Sequence, residues 1–399
     1  MTEADEAASL RPPALSPSGD PWLLTPGPLT TSPAVKAAMG HDLGSRDRRF
    51  IAVNKRVCER LLAVVGGERT HVCVPLQGSG TFIVEAMIGT LVPMDGSLLI
   101  LVNGAYGKRM ARISAYYGLA HDIIEWPEDR AVEPEALERR LAEAPEISHV
   151  ALVHAETTAG VLNPLEEVAD VVARQGRSLL VDAMSSFGAL PIDVQRTPID
   201  ALAASSNKCL EGVPGLGFCI AKRSALLRAK GNAPSLSLDL YDQWTAMEAN
   251  GQWRFTPPVH VILALAEALD EFEAEGGVAG RGARYRGNCR ILVEGLRALG
   301  FETLLEDRIQ APNIVTVRMP ADPRFRFDAF YERMSGAGYV IYPGKLTAAE
   351  SFRIGCIGRL GPDEMRGALE AIRATLREMG VVNCAPAAPA SEAAERKRA

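Results

Sequence analysis

Between Ser178 and Gly217 the chain reads SLLVDAMSSFGALPIDVQRTPIDALAASSNKCLEGVPGLG, and no other stretch limits the possible folds as strongly. It holds two short apolar runs, each ending at a conspicuous polar residue. Ser178-Leu179-Leu180-Val181 stops at Asp182, and the run from Ile199 to Ala204 stops in Ser205-Ser206-Asn207-Lys208. Short apolar runs bounded by turn signals read as buried strands of a parallel sheet. Ligands of open α/β sheets sit outside the carboxyl ends of such strands, so Asp182 and Lys208 should face one crevice. A lysine and a carboxylate held there match what pyridoxal phosphate requires, an amine for the Schiff base and an acid opposite the pyridinium nitrogen. The same two residues also allow a simpler reading, in which Asp182 caps a helix and Lys208 is a loop lysine.

Composition excludes several alternatives. Forty-three basic residues against 49 acidic ones give a net charge of −6 with no long basic block, which argues against nucleic acid as a partner. The seven cysteines (58, 73, 209, 219, 289, 356, 384) are dispersed without a CxxC, as expected of reduced thiols in the cytoplasm. No histidine pair has metal-ligand spacing, so no metal is expected. The first twenty residues lack the basic and apolar regions of a signal peptide, and no apolar run approaches the ~20 residues of a membrane span.

Taken in order, residues 1–20 read as a disordered extension. Pro26-Gly27-Pro28 then fixes an extended arm, and Gly27 would let the backbone approach a ligand closely. Helices are expected over 33–40 and 50–64. The turn between them carries Arg46, as part of a solvated face or as an anion contact. A strand from His71 leads into Gln77-Gly78-Ser79-Gly80-Thr81 and a helix, and a glycine turn at a helix start is a phosphate cradle. It is neither a P-loop nor GxGxxG, because no Lys-Ser/Thr follows and Ile83 stands where the third glycine would be. That failure counts against a nicotinamide-dependent oxidoreductase. The strand Ser97–Val102 ends before Tyr106, which could stack on a planar ring or simply pack at the helix start. The strand from His149 ends before Thr157 and Thr158, either of which could donate a hydroxyl. A helix over 164–175 should be capped by Asn163, with Pro164 at its first position and Glu166 at the third.

Residues 224–252 read as irregular, and Trp253–His260 as extended. Gly276–Gly280 reads as a hinge, after which the pattern becomes a compact α+β unit with strands at 301–304, 313–318, 338–342 and 351–355. Arg353 lies inside the last of these, and a buried arginine is either half of a salt bridge or a fork for a substrate anion. The expected organisation is an extension at 1–20, a large cofactor-binding α/β domain at 21–275 and a small C-terminal domain at 276–382. A disordered tail would occupy 383–399.

The stretches LLTPGPLTTS, LQGSGTFIVEA, VNGAYGKRM, HAETTAGVLNP, VDAMSSFGALPID and SSNKCLEGVPGLGF resemble the class V, fold type I, pyridoxal phosphate-dependent aminotransferases. The likeness runs from Leu24 to about Gly380. It implies a large domain with a mostly parallel sheet flanked by helices, a smaller α+β domain and a homodimer with shared sites. It implies that Lys208 carries the cofactor and moves the proton, Asp182 pairs with the ring nitrogen, and Tyr106 stacks on the ring. Ser79, Gly80 and Thr81 would hold the phosphate and Thr157 the 3-oxygen. Thr256, with Arg254 as a further candidate, would reach the phosphate from a neighbouring subunit, and Arg353 and Gly27 would lie at the substrate. SLSLDLY with WRFTPPVH, and VIYPGK with FRIG, are similar to the branch that passes the amino group of 2-aminoethylphosphonate to pyruvate. Serine– or alanine–glyoxylate transamination is the alternative within the same family.

Overall fold

The computed structural model describes residues 12–346 and 349–387. Its centre is a seven-stranded sheet. The strands lie in the order His71–Gly78, Gly215–Lys222, Ala201–Ser205, Ser178–Asp182, His149–Val153, Ser97–Val102, Ala120–Glu125. Gly215–Lys222 runs antiparallel to both neighbours, and every other pairing is parallel. The apolar runs form strands because both faces of this sheet are covered, so successive residues of one strand enter different cores. Leu179 and Val181 join Leu99, Leu152 and Phe218 on one side, while Leu180 joins Leu98, Ile100, Val153 and Ala203 on the other. The helix Leu165–Arg174 carries the chain from His149–Val153 to Ser178–Asp182, and Val168, Val171 and Val172 bury its apolar stripe. The α/β expectation with a mostly parallel sheet holds.

Beyond this sheet a second core gathers around a three-stranded antiparallel sheet, ordered Ile314–Arg318, Ser351–Gly355, Tyr342–Pro343. Phe330, Phe352, Ile354 and Ile372 fill it from the strands and the helices Phe327–Gly336 and Pro362–Glu378. Trp22 and Leu24 belong to this same core. The N-terminal strand Trp22–Leu23 pairs in parallel with Tyr339–Val340, so the arm packs on the C-terminal unit.

Several local expectations are overturned. Residues 12–20 are not disordered: Ala14 N–H donates to the Ala337 carbonyl at 3.0 Å and Leu15 bridges Pro21. At the other end Cys384 is buried in the C-terminal core, against a disordered tail starting at 383, while residues 388–399 lie outside the described chain. The region 224–252 contains the helices Arg223–Arg228 and Leu240–Asn250, the latter capped by the Asp239 carboxylate on Asp242 N–H. The break expected at Gly276–Gly280 is confined to Glu275 and Gly276 (φ 98°), between the helices Val259–Ala274 and Gly277–Ala298, and Gly277–Gly280 already belong to the second helix. The strand expected at 301–304 shrinks to one bridge, Thr303 to Val317. Asn163 does not cap the following helix. Its carboxamide is taken by Asn103, the Val132 N–H and the Val153 carbonyl, a set of buried bonds that outcompetes a local cap.

The two cores meet at a buried charge cluster. Glu211, three residues past Lys208 and held at φ 60°, accepts from Arg284 Nη2 at 2.6 Å and Tyr285 Oη at 2.5 Å. Glu275 accepts from Arg281 Nε and Arg284 Nε, each at 2.6 Å. Arg281 donates to the Cys209 carbonyl, and Arg284 to those of Gly358 and Leu360. Removing one partner of such a set leaves an uncompensated buried charge. Glu211→Ala should therefore cost about 3–5 kcal/mol, read as a lower urea midpoint. A midpoint within error of the parent would show that the cluster contributes nothing to stability.

Candidate active site

The carboxyl ends of the strands open into a cavity of about 380 Å³ lined by Ser79, Gly80, Thr81, Tyr106, Arg109, Asp182, Ser205 and Lys208. They come from the ends of four strands, His71–Gly78, Ser97–Val102, Ser178–Asp182 and Ala201–Ser205, as the sheet topology requires. Ser79 is the first residue outside the helix Gly80–Leu91 and makes no side-chain cap. Among the described residues the N–H groups of Gly80 and Thr81 have no acceptor, so two donors at a positive helix end face the cavity. A Cβ on Gly80 would lie 2.7 Å from Met184 Sδ, so a side chain there would crowd the cradle.

Asp182 closes the opposite end. Its Oδ1 accepts from Met184 N–H at 2.9 Å, and it is only 5 % exposed. Burial pushes its carboxyl up to about 6, against the pull of that N–H and of Lys208. The Lys208 amine is held below its ordinary value by burial, opposed by Tyr106, Cys209 and Asp182. Lys208 Nζ donates to the Pro26 carbonyl at 2.5 Å, which brings the N-terminal arm against the lysine. Gly27 (φ +122°) is packed so closely that a Cβ would fall 2.7 Å from Lys208 Nζ.

Tyr106 is set by a carboxylate that the sequence reading missed. Gly104 precedes the helix Ala105–Tyr117 and has no side chain to cap it. Fully buried Glu156 takes that place, accepting from the N–H groups of Tyr106, Gly107 and Thr158 and from the Thr158 hydroxyl. Burial alone would raise the Tyr106 phenol, but Lys208, the Thr157 hydroxyl and Lys345 together hold it below its ordinary value. Arg109, also missed, lies one turn along the same helix. Its guanidinium is 5.0 Å from the Tyr106 ring centroid and donates to Thr81 Oγ1 at 3.0 Å. Its place three residues after Tyr106 was the available signal.

Arg353 is 6 % exposed, and among the described residues it has no carboxylate partner. Nη1 donates to the Thr157 carbonyl at 2.9 Å and Nε to the Pro343 carbonyl at 3.1 Å. The salt-bridge alternative for this residue is thereby set aside. Not every expected residue converges. Thr256 is exposed on the loop before the helix Val259–Ala274 and does not line the cavity. Arg254 turns to the Asp239 carbonyl and to Asp242, and Arg46 is exposed outside the cavity.

Taken together, the residues present fit pyridoxal phosphate. The two free N–H groups suit its phosphate. Buried Ser205 Oγ, which among the described residues lacks a partner, lines the same cavity, and an acid and an amine line it together, the two groups that the ring nitrogen and carbonyl require.

The raised Asp182 carboxyl has a thermodynamic consequence. Folded Asp182 keeps its proton where an unfolded aspartate, near pKa 3.9, has lost it. Stability therefore falls as pH rises from about 4 to about 6, by roughly 3 kcal/mol in all. Asp182→Asn should raise the urea midpoint of the cofactor-free protein at pH 8 and leave it nearly unchanged at pH 4. Equal effects at both pH values would contradict a burial cost.

Comparison with known proteins agrees with this geometry. A family model described as aminotransferase class-V matches residues 56–322. A 2-aminoethylphosphonate–pyruvate transaminase 2 of Burkholderia lata is 57 % identical over 364 residues, covering 91 % of this chain and 97 % of that one. A 2-aminoethylphosphonate–pyruvate transaminase of Pseudomonas putida is 54 % identical over 366 residues, covering 92 % of this chain and all of its own. Among solved structures, pyridoxamine-pyruvate aminotransferase from Mesorhizobium loti superposes with a TM-score of 0.84 at 27 % identity, over 92 % of this chain and 95 % of its own. Alanine–glyoxylate aminotransferase from Nostoc sp. gives 0.84 at 26 %, over 94 % of this chain and all of its own. With the family model and these relatives covering most of its length, the chain belongs to the class V aminotransferases.

Proposed function

We propose that the protein transfers the amino group of 2-aminoethylphosphonate to pyruvate, giving phosphonoacetaldehyde and L-alanine. The observation that carries this reading is a buried arginine, Arg353, which among the described residues has no carboxylate partner, is held on the Thr157 carbonyl, and is close enough to the buried Lys208 amine to help lower it. The printed activities of relatives more than half identical over the whole match support it.

When bound, pyridoxal phosphate supplies an electron sink that makes the proton on the amine-bearing carbon removable. Gly80 and Thr81 N–H groups, Ser79 and Arg109 would hold its phosphate, and Asp182 would keep its ring nitrogen protonated. Tyr106 would face the ring, and the Thr157 hydroxyl would stand near the 3-oxygen. Lys208 would hold the carbonyl carbon and, once displaced by the donor amine, carry the proton from and to the amine-bearing carbon. A free lysine near 10.4 is protonated at neutral pH and a poor base. The buried setting lowers Lys208, the direction that a base working at neutral pH needs. Arg353 would bind the anionic end of each substrate in turn, phosphonate and then carboxylate, so one site serves both halves of a ping-pong cycle.

Thr256 is exposed within its own chain, with Phe255 beside it 49 % exposed. In a homodimer it would reach the phosphate of the neighbouring site. The cysteines form no disulfide, which fits a reducing cytoplasm, and among the described residues no helix is long and apolar enough to cross a membrane.

The test is to mix enzyme reconstituted with pyridoxal phosphate, 2-aminoethylphosphonate and pyruvate, and to measure alanine. Alanine should form with the phosphonate donor and not with serine. The reverse pattern would move the function to another member of the family. Lys208→Ala should abolish turnover. Arg353→Lys should raise KM for both substrates by at least about tenfold, because a point charge replaces a planar fork. An unchanged KM would make Arg353 structural.

A further inference from the structure

Lys345 follows Tyr342-Pro343-Gly344 and has no part in the chemistry above. Its ammonium lies 4.4 Å from the centroid of the Tyr106 ring. Its position is tied to that of Arg353. Tyr342 stands opposite Arg353 in the ladder, the Pro343 carbonyl accepts from Arg353 Nε, and Gly344 N–H donates to the Ser351 carbonyl at 2.9 Å. Two cationic side chains, one on the strand Ser351–Gly355 and one on the loop just past Tyr342–Pro343, thus stand next to Thr157 and Tyr106, and among the described residues neither forms an ion pair. The nearby carboxylates are committed elsewhere. Glu156 has four donors of its own, and Asp182 holds Met184 N–H at the far side of the cavity.

Two unpaired positive groups converging on one wall repel each other unless an anion joins them. A carboxylate brings one charge and two oxygens. A phosphonate brings three oxygens and, with a second pKa near ~6 as for phosphate esters, up to two charges. Nε and one N–H of Nη1 of Arg353 already serve backbone carbonyls, and the three N–H groups left lie in the guanidinium plane, so they cannot all meet the three tetrahedrally arranged oxygens of one phosphonate. We propose that Lys345 is a specificity-determining residue that takes the third oxygen and second charge of a phosphonate, while the carboxylate substrate is held by Arg353 alone. This rests on the reading of the substrate given above.

The experiment uses the holoenzyme and separates the two halves of the cycle. Lys345→Met keeps an unbranched chain against Tyr106 and removes the charge. It should lower kcat/KM for 2-aminoethylphosphonate by at least about tenfold, the scale of one charge-assisted hydrogen bond. The value for alanine in the reverse half should stay within about threefold. Calorimetric titration with ethylphosphonate and propionate, which lack the amine, should show the same split in Kd. Lys345→Arg should restore phosphonate binding. Equal losses with both anions would mean that Lys345 only sets Tyr106, and no loss with either would mean that it is outside the site. Both outcomes overturn the proposal. If the parent enzyme fails to turn over 2-aminoethylphosphonate, the functional reading falls, while the ethylphosphonate-to-propionate ratio still decides the role of Lys345.

Discussion

Arg281 and Arg284 share two carboxylates, Glu211 and Glu275, with Arg281 and Glu211 fully buried and the other two at the edge of solvent. Much of the molecule is anchored to that set. The arginines belong to the long helix that begins the C-terminal unit, Glu211 and the Cys209 carbonyl to the turn just past Lys208, and the Gly358 and Leu360 carbonyls to the loop that follows the strand of Arg353. Ion pairs buried in this way are poor evidence for net stability, since a hydrophobic cluster of equal volume often does as well. What they impose is registry: the donors fit only when all three segments are in place. The lysine and the arginine of the site are thereby referred to one common point.

The cavity is built from opposed costs. An amine and a carboxylate are both held out of water, and each is pushed toward its neutral form, the lysine down and the aspartate up. Neither shift stabilises the fold. A bound group with a cationic ring nitrogen and an electrophilic carbon would resolve both at once, since it stabilises the charged acid and uses the neutral amine. The free N–H groups at Gly80 and Thr81 follow the same logic, as unmet donors waiting for an anion.

The strands ending at Asp182 and near Lys208 were legible because an apolar run closed by a polar residue has few other fates in a sheet covered on both faces. Arg353 was legible because an arginine within such a run demands a partner. What escaped depended on contacts distant in sequence. Asn163 has the residue type and spacing of a cap, but a reciprocal pairing with Asn103, sixty residues away, claims it. The glycines after 276 mimic a hinge, yet a Cβ at Gly282 would sit 2.3 Å from the Ala189 carbonyl oxygen, so that glycine is there to let a helix lie against backbone. Glu156 could be read only as one residue of HAETTAG. Its capping of a helix fifty residues earlier exists only once the sheet has brought the two strand ends together.

The strand at Trp22–Leu23 finds its partner at Tyr339–Val340, more than three hundred residues later. The arm that follows it supplies the carbonyl held by Lys208, and the Leu24 carbonyl accepts from Gly355 N–H. Trp22 and Leu23 therefore have no strand to pair with until Tyr339 and Val340 have been made. The central sheet can close around its own cores during synthesis, but its catalytic mouth cannot. A chain ended before Tyr339 would carry the lysine with its arm unanchored and without the arginine that frames it.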